Sequence, residues 1–507
     1  MPRHKRFAFN VMMNWVAMAV GMVVPFFLTP VVVKHLGPTG YGIWILAVST
    51  VSYLTLLDLG LRSAIIRFVS KADAQGNKEE AQRAIQATLW FRVIVAAGIT
   101  VLSIALAAMF PYLFKLPPDM QRAAQITVLM CSLGVAVSMI SGVFGAVLNA
   151  IQRFDVLSAI GMFQVIARAG GVVLILLTGH GLTTLAYWEL TVAVLSGVAF
   201  AGAALRLYPP CRVRIARPDF ATLKMIWSYS FLMFIIIIAS QVIFSSDNMV
   251  VGGFLSVGLV AYYSIGGSLT VYSGQIVSGL STTFTPMASG FEASGKMEEL
   301  RQLLMRGTQA VLALALPISL ALFFRGKTFI GLWMGPRYSH VSGTVLQILL
   351  IGQFFTVADV TAGNVMFAIG KHKAVAMAAS IEAALNLGLS ILLVKTIGIY
   401  GVAWGTSISM AMVHLIFWPR YVRKIIGIPV LQYLWEGWGK ITLCSLPYAA
   451  VCAISDRYWH PVSLSMFFAQ IMAVLPVYVV SIFLIFRKEA KGLFHKWWQS
   501  RLVRATA

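Results

Sequence analysis

Ten ionisable side chains stand inside or at the edge of long apolar runs: Asp58, Arg62, Arg67, Arg92, Arg168, Glu189, Asp247, Asp359, Glu382 and His414. A guanidinium offers an anion planar, bidentate, charge-assisted hydrogen bonds. A carboxylate in an apolar helix can take up a proton or a sodium ion. Each ionised group at mid-bilayer costs about 2.5–3.5 kcal/mol on insertion scales, so eight or nine of them facing lipid would cost on the order of 20–30 kcal/mol. That exceeds the stability of a fold, so most of these groups must pair or line water. Asp58 and Arg62 are one helical turn apart and can neutralise each other. Arg92 lies near the end of its run, where snorkelling to the interface is the expectation. Glu189 and His414 are expected to hydrogen-bond between helices. Asp247 follows Ser245 and Ser246 and precedes Asn248, a polar patch in an otherwise apolar helix.

The elements that must position these groups follow from composition. The 507 residues are 59% hydrophobic and only 11% charged, with a mean hydropathy of +0.84. A soluble domain carries roughly 25% charged residues, so a soluble enzyme and a disordered chain are excluded. Apolar runs, each close to the ~20 residues that cross a bilayer, recur from residue 9 to residue 486. They predict an all-α polytopic membrane protein with about fourteen transmembrane helices, the second at 41–66 and the eighth a long span at 257–288. The ~10-residue alternating segments of a membrane barrel do not appear. The basic and apolar start resembles a signal peptide but lacks an A-x-A cleavage site, so a retained first helix is expected. Pro25 and Pro30 fall in the first span, Pro286 late in the eighth and Pro317 midway along the ninth, and each permits a bend. The four cysteines are expected to be free thiols.

The formal charge of +22 sorts by side. With fourteen spans, most lysines and arginines fall with the two termini, which the positive-inside rule places in the cytoplasm. No nucleic-acid partner is needed to explain the basic excess.

The chain also repeats itself. AQGNKEEAQRA (74–84) matches ASGKMEELRQL (293–303), and NAIQRFDVLSAI (149–160) matches FAIGKHKAVAMA (367–378), running on to Trp188 and Trp404 after a short gap. Polar loops match as well as apolar spans, which argues for a true duplication of six helices in one orientation, a transporter architecture. The expected organisation is an N-terminal six-helix repeat at 1–205, a basic cytoplasmic linker at 206–226 and a second six-helix repeat at 227–420. Two additional transmembrane helices at 421–486 and a basic cytoplasmic tail at 487–507 follow. The tail mixes Lys and Arg with Phe494, Trp497 and Trp498, as expected of a helix on an anionic leaflet.

The segments LGPTGYGIWILAVSTVSYLTLLDLGLRSAIIRFVSKADAQGN (36–77), QVIFSSDNMVVGGFLSVGLVAYYSIGGSL (241–269) and NVMFAIGKHKAVAMAASIEAALNLGLSILLV (364–394) resemble the polysaccharide repeat-unit (O-antigen type) flippases. These belong to the superfamily that also holds lipid II flippases and multidrug and toxin extruders. The resemblance implies two six-helix repeats around a central cavity, alternating access, and polyprenyl-pyrophosphate-linked glycans as cargo in the bacterial inner membrane. Exposing a pyrophosphate to hydrocarbon is prohibitive, so the cargo asks for cations. Arg62, Arg67, Arg168 and its repeat counterpart Asn386 are the substrate-binding candidates. For Arg168, pairing with another helix stays open as the alternative. Asp247, Asp359 and Glu382 are the ion-coupling candidates, for Na⁺ or H⁺, with structural salt bridging as the alternative.

No catalytic residue, metal or cofactor is expected, since the external loops, the longest at 325–342 and 111–122, hold no acid pair or metal cluster. A glycan polymerase or ligase is therefore disfavoured. A multidrug extruder of the same superfamily is the nearer rival and would favour an acidic, aromatic-lined cavity. The protein is read as a monomer surrounded by membrane lipids, with other glycan-assembly proteins as candidate partners.

Overall fold

In hydrocarbon a backbone can satisfy its polar groups within one segment only as a helix, and the apolar runs are helical nearly throughout. The computed structural model describes the backbone of residues 3–59, 61–211 and 220–505, with side chains described there except at 3–11, 14, 220–231 and 485–505. The helices are α1 (Arg3–Ser52), α2 (Leu61–Ala74), α3 (Lys78–Leu113), α4 (Pro118–Ala150), α5 (Phe154–Leu177) and α6 (Leu182–Leu207). Next come α7 (Phe220–Phe254), α8 (Val257–Ser281), α9 (Phe284–Ala293), α10 (Met297–Met334), α11 (Pro336–Ala368), α12 (His372–Ile397) and α13 (Ile399–Met412). Then follow α14 (Trp418–Ile426), the single turn α15 (Val430–Gln432), α16 (Lys440–Tyr458) and α17 (Leu464–Ala505). Two π-helical segments, Val413–Phe417 and Tyr433–Gly439, interrupt the last third.

Among the described residues, eleven helical stretches are long and apolar enough to cross a membrane. The first, Trp15–Asp58, is broken at Gly37 (φ 68°, ψ 176°), a backbone conformation open to glycine and followed by Pro38, which starts the next helix. Division there, together with the helices α8 and α16, recovers the fourteen expected segments. The chain forms two compact units, residues 1–264 with 390–402 and residues 265–389 with 403–507.

The duplication is visible in hydrogen bonds, one copy in each unit. After α2, the Gly76 and Asn77 amides donate to Asp73 and Ala72 carbonyls at 3.0 and 2.9 Å. After α9, Gly295 and Lys296 donate to Glu292 and Phe291 at 3.0 and 2.9 Å. Both are glycine-capped helix ends with φ near 67°. The turn after α4 bonds Gln152 and Arg153 to Asn149 and Leu148, and the turn after α11 bonds Gly370 and Lys371 to Phe367 and Met366. Ser70 donates to the Ala150 carbonyl and Ser289 to that of Ala368, each at 3.0 Å.

Three expectations are corrected. The second span does not run on to residue 66. Its helix ends at Ser52, passes through a 3-10 turn at Tyr53–Asp58 and stops on Leu59 in the left-handed region (φ 51°). The expected long span at 257–288 is likewise two helices, since α8 ends at Ser281 and Pro286 sits in the first turn of α9, where its missing N–H costs nothing. The supposed external loop at 325–342 is helical on both sides of Gly335 (φ 105°). Its first charge, Arg325, is fully buried, donating to the Trp459 carbonyl at 3.1 Å and to Gln470 Oε1 at 2.6 Å, beneath the ring of Phe467. That arginine ties α10 to α16 and α17, the additional helices. Arg212, Arg214 and Arg217 of the expected linker lie outside the described residues, as do the tail's side chains. The tail's backbone continues α17 to Ala505.

Candidate functional site

The break at Leu59 removes the register that would pair Asp58 with Arg62. Asp58 instead binds Arg92 of α3, whose Nη1 donates to the Met139 carbonyl at 2.8 Å. Arg92 is 3% exposed, so it does not snorkel. Gly142 makes room for it, since a Cβ there would overlap the guanidinium. Asp58 is 24% exposed, but Arg92 is buried, and a buried charge left without its partner is strongly destabilising, which marks this contact as structural. Arg62 and Arg67 lie on α2, beyond the end of the apolar span at Asp58. Helix α2 is amphipathic, burying Leu61, Ala64, Ile65 and Val69 and leaving both arginines exposed.

Arg168 is the one arginine among the substrate-binding candidates that lies inside an apolar span. It pairs with Glu189 of α6, one carboxylate oxygen meeting Nη2. The side chain is nevertheless 44% exposed. Trp188 fixes the level of the pair. Its indole N–H reaches the Ala167 carbonyl at 3.2 Å and the ring lies over Gly171, where any Cβ would overlap it. In the other unit Asn386 of α12 donates to Thr406 Oγ1 of α13 at 2.9 Å, so the corresponding helix pair carries a neutral link. Asn386 is fully buried and is not presented as Arg168 is.

Asp247 is buried and accepts from the Tyr263 hydroxyl at 2.5 Å. Its polar neighbours meet α1: Asn248 donates to Ser49 Oγ at 3.1 Å, Ser245 lies 3.2 Å from Ser52, and Gln241 bonds both Ser52 and Ser245.

Asp359 and Glu382 come together through a residue expected only to link helices. His414 places Nδ1 3.2 Å from Asp359 Oδ2 and Nε2 3.5 Å from Glu382 Oε2. The Tyr433 hydroxyl donates to the other Asp359 oxygen at 2.7 Å. All four side chains are buried. His414 and Tyr433 lie on the two π-helical segments, a distortion frequent at functional sites because it re-aims side chains. A neutral imidazole has one N–H and one lone pair. A carboxyl group faces each ring nitrogen, and a neutral ring can donate to only one of them.

Tyr433 is the residue that sequence reasoning missed, and nothing in a lone tyrosine beyond the twelfth span marks it. Among the described residues no cluster of three or more His, Cys, Asp or Glu has metal-holding geometry. The four cysteines are free and buried. Burial pushes the Cys211 thiol, beyond the end of α6, up to about 11, which leaves it unreactive.

Residues 31–343 match the polysaccharide biosynthesis protein family. The chain belongs to that family. A Bacillus subtilis (strain 168) relative named uncharacterized membrane protein EpsK is 24% identical over 439 residues, 83% of this chain and 84% of its own. A Shigella flexneri relative named putative O-antigen transporter is 22% identical over 397 residues, 77% of this chain and 91% of its own. The solved structure of the lipid II flippase MurJ, in an inward closed conformation, shares the fold with a TM-score of 0.74. The match covers 95% of this chain and 100% of MurJ at 16% identity. At that identity the likeness speaks for the fold alone.

Proposed function

We propose that this family member is a flippase that carries polyprenyl-pyrophosphate-linked oligosaccharide repeat units across the bacterial inner membrane by alternating access, with both termini in the cytoplasm. The observation that carries the reading is Arg168, a half-exposed arginine side chain inside a membrane-spanning helix of a polysaccharide biosynthesis protein. A guanidinium suits a phosphate that must be bound and then released. The Shigella relative's name, putative O-antigen transporter, points the same way. Arg62 and Arg67, exposed on amphipathic α2, serve in this reading as the approach for the anionic head. The polyprenyl tail stays in lipid throughout.

The driving ion in this reading is a proton bound at Asp359, His414 and Glu382. The imidazole and the Tyr433 hydroxyl already occupy both carboxylate oxygens of Asp359. Asp247, hydrogen-bonded to Tyr263, acts as an accessory acid. The six-helix repeats at 1–205 and 227–420, joined by the linker at 206–226, are the moving parts, and the protein works as a monomer.

Deleting the gene should cause lipid-linked glycan to accumulate on the cytoplasmic face of the inner membrane, and the wild-type gene should relieve it. Normal glycan export in the deletion strain, with altered resistance to cationic drugs instead, would transfer the protein to the extruder reading.

A further inference from the structure

One cavity of the second unit is lined by none of Asp359, Glu382, His414 and Tyr433. It lies between α12 and the α13–α14 stretch and has a volume of about 410 Å³, within the roughly 300–1,000 Å³ range of small-molecule sites. Ile381 and Leu385 of α12 form one wall and Ile416 of the π-helical segment the other. The rings of Phe417 and Tyr421, stacked at 5.7 Å and 6° from parallel, close part of it. Arg420 and Lys424, one turn apart on α14, stand at one end, and no acidic residue shares the lining. Both cations are exposed, and Arg420 is steadied by a 2.9 Å bond from Nη1 to the Ile416 carbonyl. Ile381 and Ile416 are themselves 41% and 49% exposed, an apolar surface suited to lipid and costly in water.

We propose that this trough is a binding site for one anionic phospholipid, with an acyl chain along Ile381, Leu385 and Ile416 and the headgroup phosphate on Arg420 and Lys424. The chemistry is complementary at both ends. An apolar trough takes a chain and returns nothing to a sugar, while two neighbouring cations on a membrane helix favour a headgroup carrying net negative charge over a zwitterionic one. The site is separate from the Arg168–Glu189 pair, which lies in the other unit. It backs onto the coupling cluster instead: Val413, which also lines the cavity, directly precedes His414. A bound lipid would brace the π-helical segment that aims His414.

The test is native mass spectrometry of the full-length protein released from detergent after exchange with phosphatidylglycerol, phosphatidylethanolamine or undecaprenyl phosphate. Wild type should retain phosphatidylglycerol over phosphatidylethanolamine by roughly tenfold, two cations each contributing severalfold. Arg420→Gln with Lys424→Gln should erase that preference. Leu385→Trp, which fills the channel and leaves both cations, should lower retention of phosphatidylglycerol as well, which separates a seated chain from simple charge attraction. Equal retention of the two phospholipids, or a preference unchanged by the double substitution, would overturn the proposal. Selective retention of undecaprenyl phosphate alone would overturn it in favour of a carrier-lipid site.

Discussion

Arg168→Ala should slow export of lipid-linked glycan by roughly tenfold to a hundredfold, the loss of one charge-assisted phosphate contact of about 1.5–3 kcal/mol. The protein should reach normal levels in the membrane, because Arg168 and Glu189 are 44% and 21% exposed and the α5–α6 contact keeps the Trp188 indole over Gly171. Export rate measured against protein level and melting temperature checks this. The double substitution Arg168→Glu with Glu189→Arg separates pairing from cargo binding. It keeps one cation and one anion between the same helices but moves the cation from α5 to α6. A cargo-binding guanidinium depends on its position, so export should stay low. Restored export would show that the pair only holds α5 to α6. Glu189→Gln, which releases Arg168 from its partner, should retain export.

Asp359→Asn should abolish the dependence of export on the proton gradient and lower its rate, because the amide cannot be protonated as a carboxylate is. Asparagine still accepts from Tyr433 and still faces His414, so the packing of α11 against the π-helical segments survives. His414→Gln should give the same loss, because without the imidazole Asp359 and Glu382 have no group between them to share a proton. Tyr433→Phe should leave the gradient dependence in place and change only the rate, since that hydroxyl donates its own proton to Asp359. Export measured with imposed proton and sodium gradients checks all three. Unchanged proton dependence in Asp359→Asn, with a lowered melting temperature, would make the cluster a structural link.

The repeat was legible because it is written in polar loops. AQGN and ASGK place glycine where a helix end needs positive φ, and Gly76 and Gly295 make the same capping bonds. Helix number followed from hydropathy for the same reason, since the cost of an unsatisfied backbone in lipid leaves few alternatives. What escaped depended on partners far along the chain. The i, i+4 spacing of Asp58 and Arg62 reads as a pair only if the helix continues, and the left-handed Leu59 ends it. Arg325 and Lys327 look like a loop by hydropathy. The fold supplies a carbonyl, Gln470 and the Phe467 ring to receive Arg325 inside the protein. His414 was visible as a lone histidine in an apolar run. That it faces an acid on each side follows from how α11 and α12 approach it, and from a π-helical turn that no residue type announces.

The most direct measurement places the purified protein in liposomes loaded with a fluorescent undecaprenyl-pyrophosphate-linked oligosaccharide on one leaflet and follows its access to a membrane-impermeant glycan-binding reagent on the other. The account predicts protein-dependent crossing that accelerates under an imposed proton gradient, slows in Arg168→Ala and loses the gradient response in Asp359→Asn. Crossing no faster than in protein-free liposomes under every gradient, from protein that melts as a folded species, would contradict it.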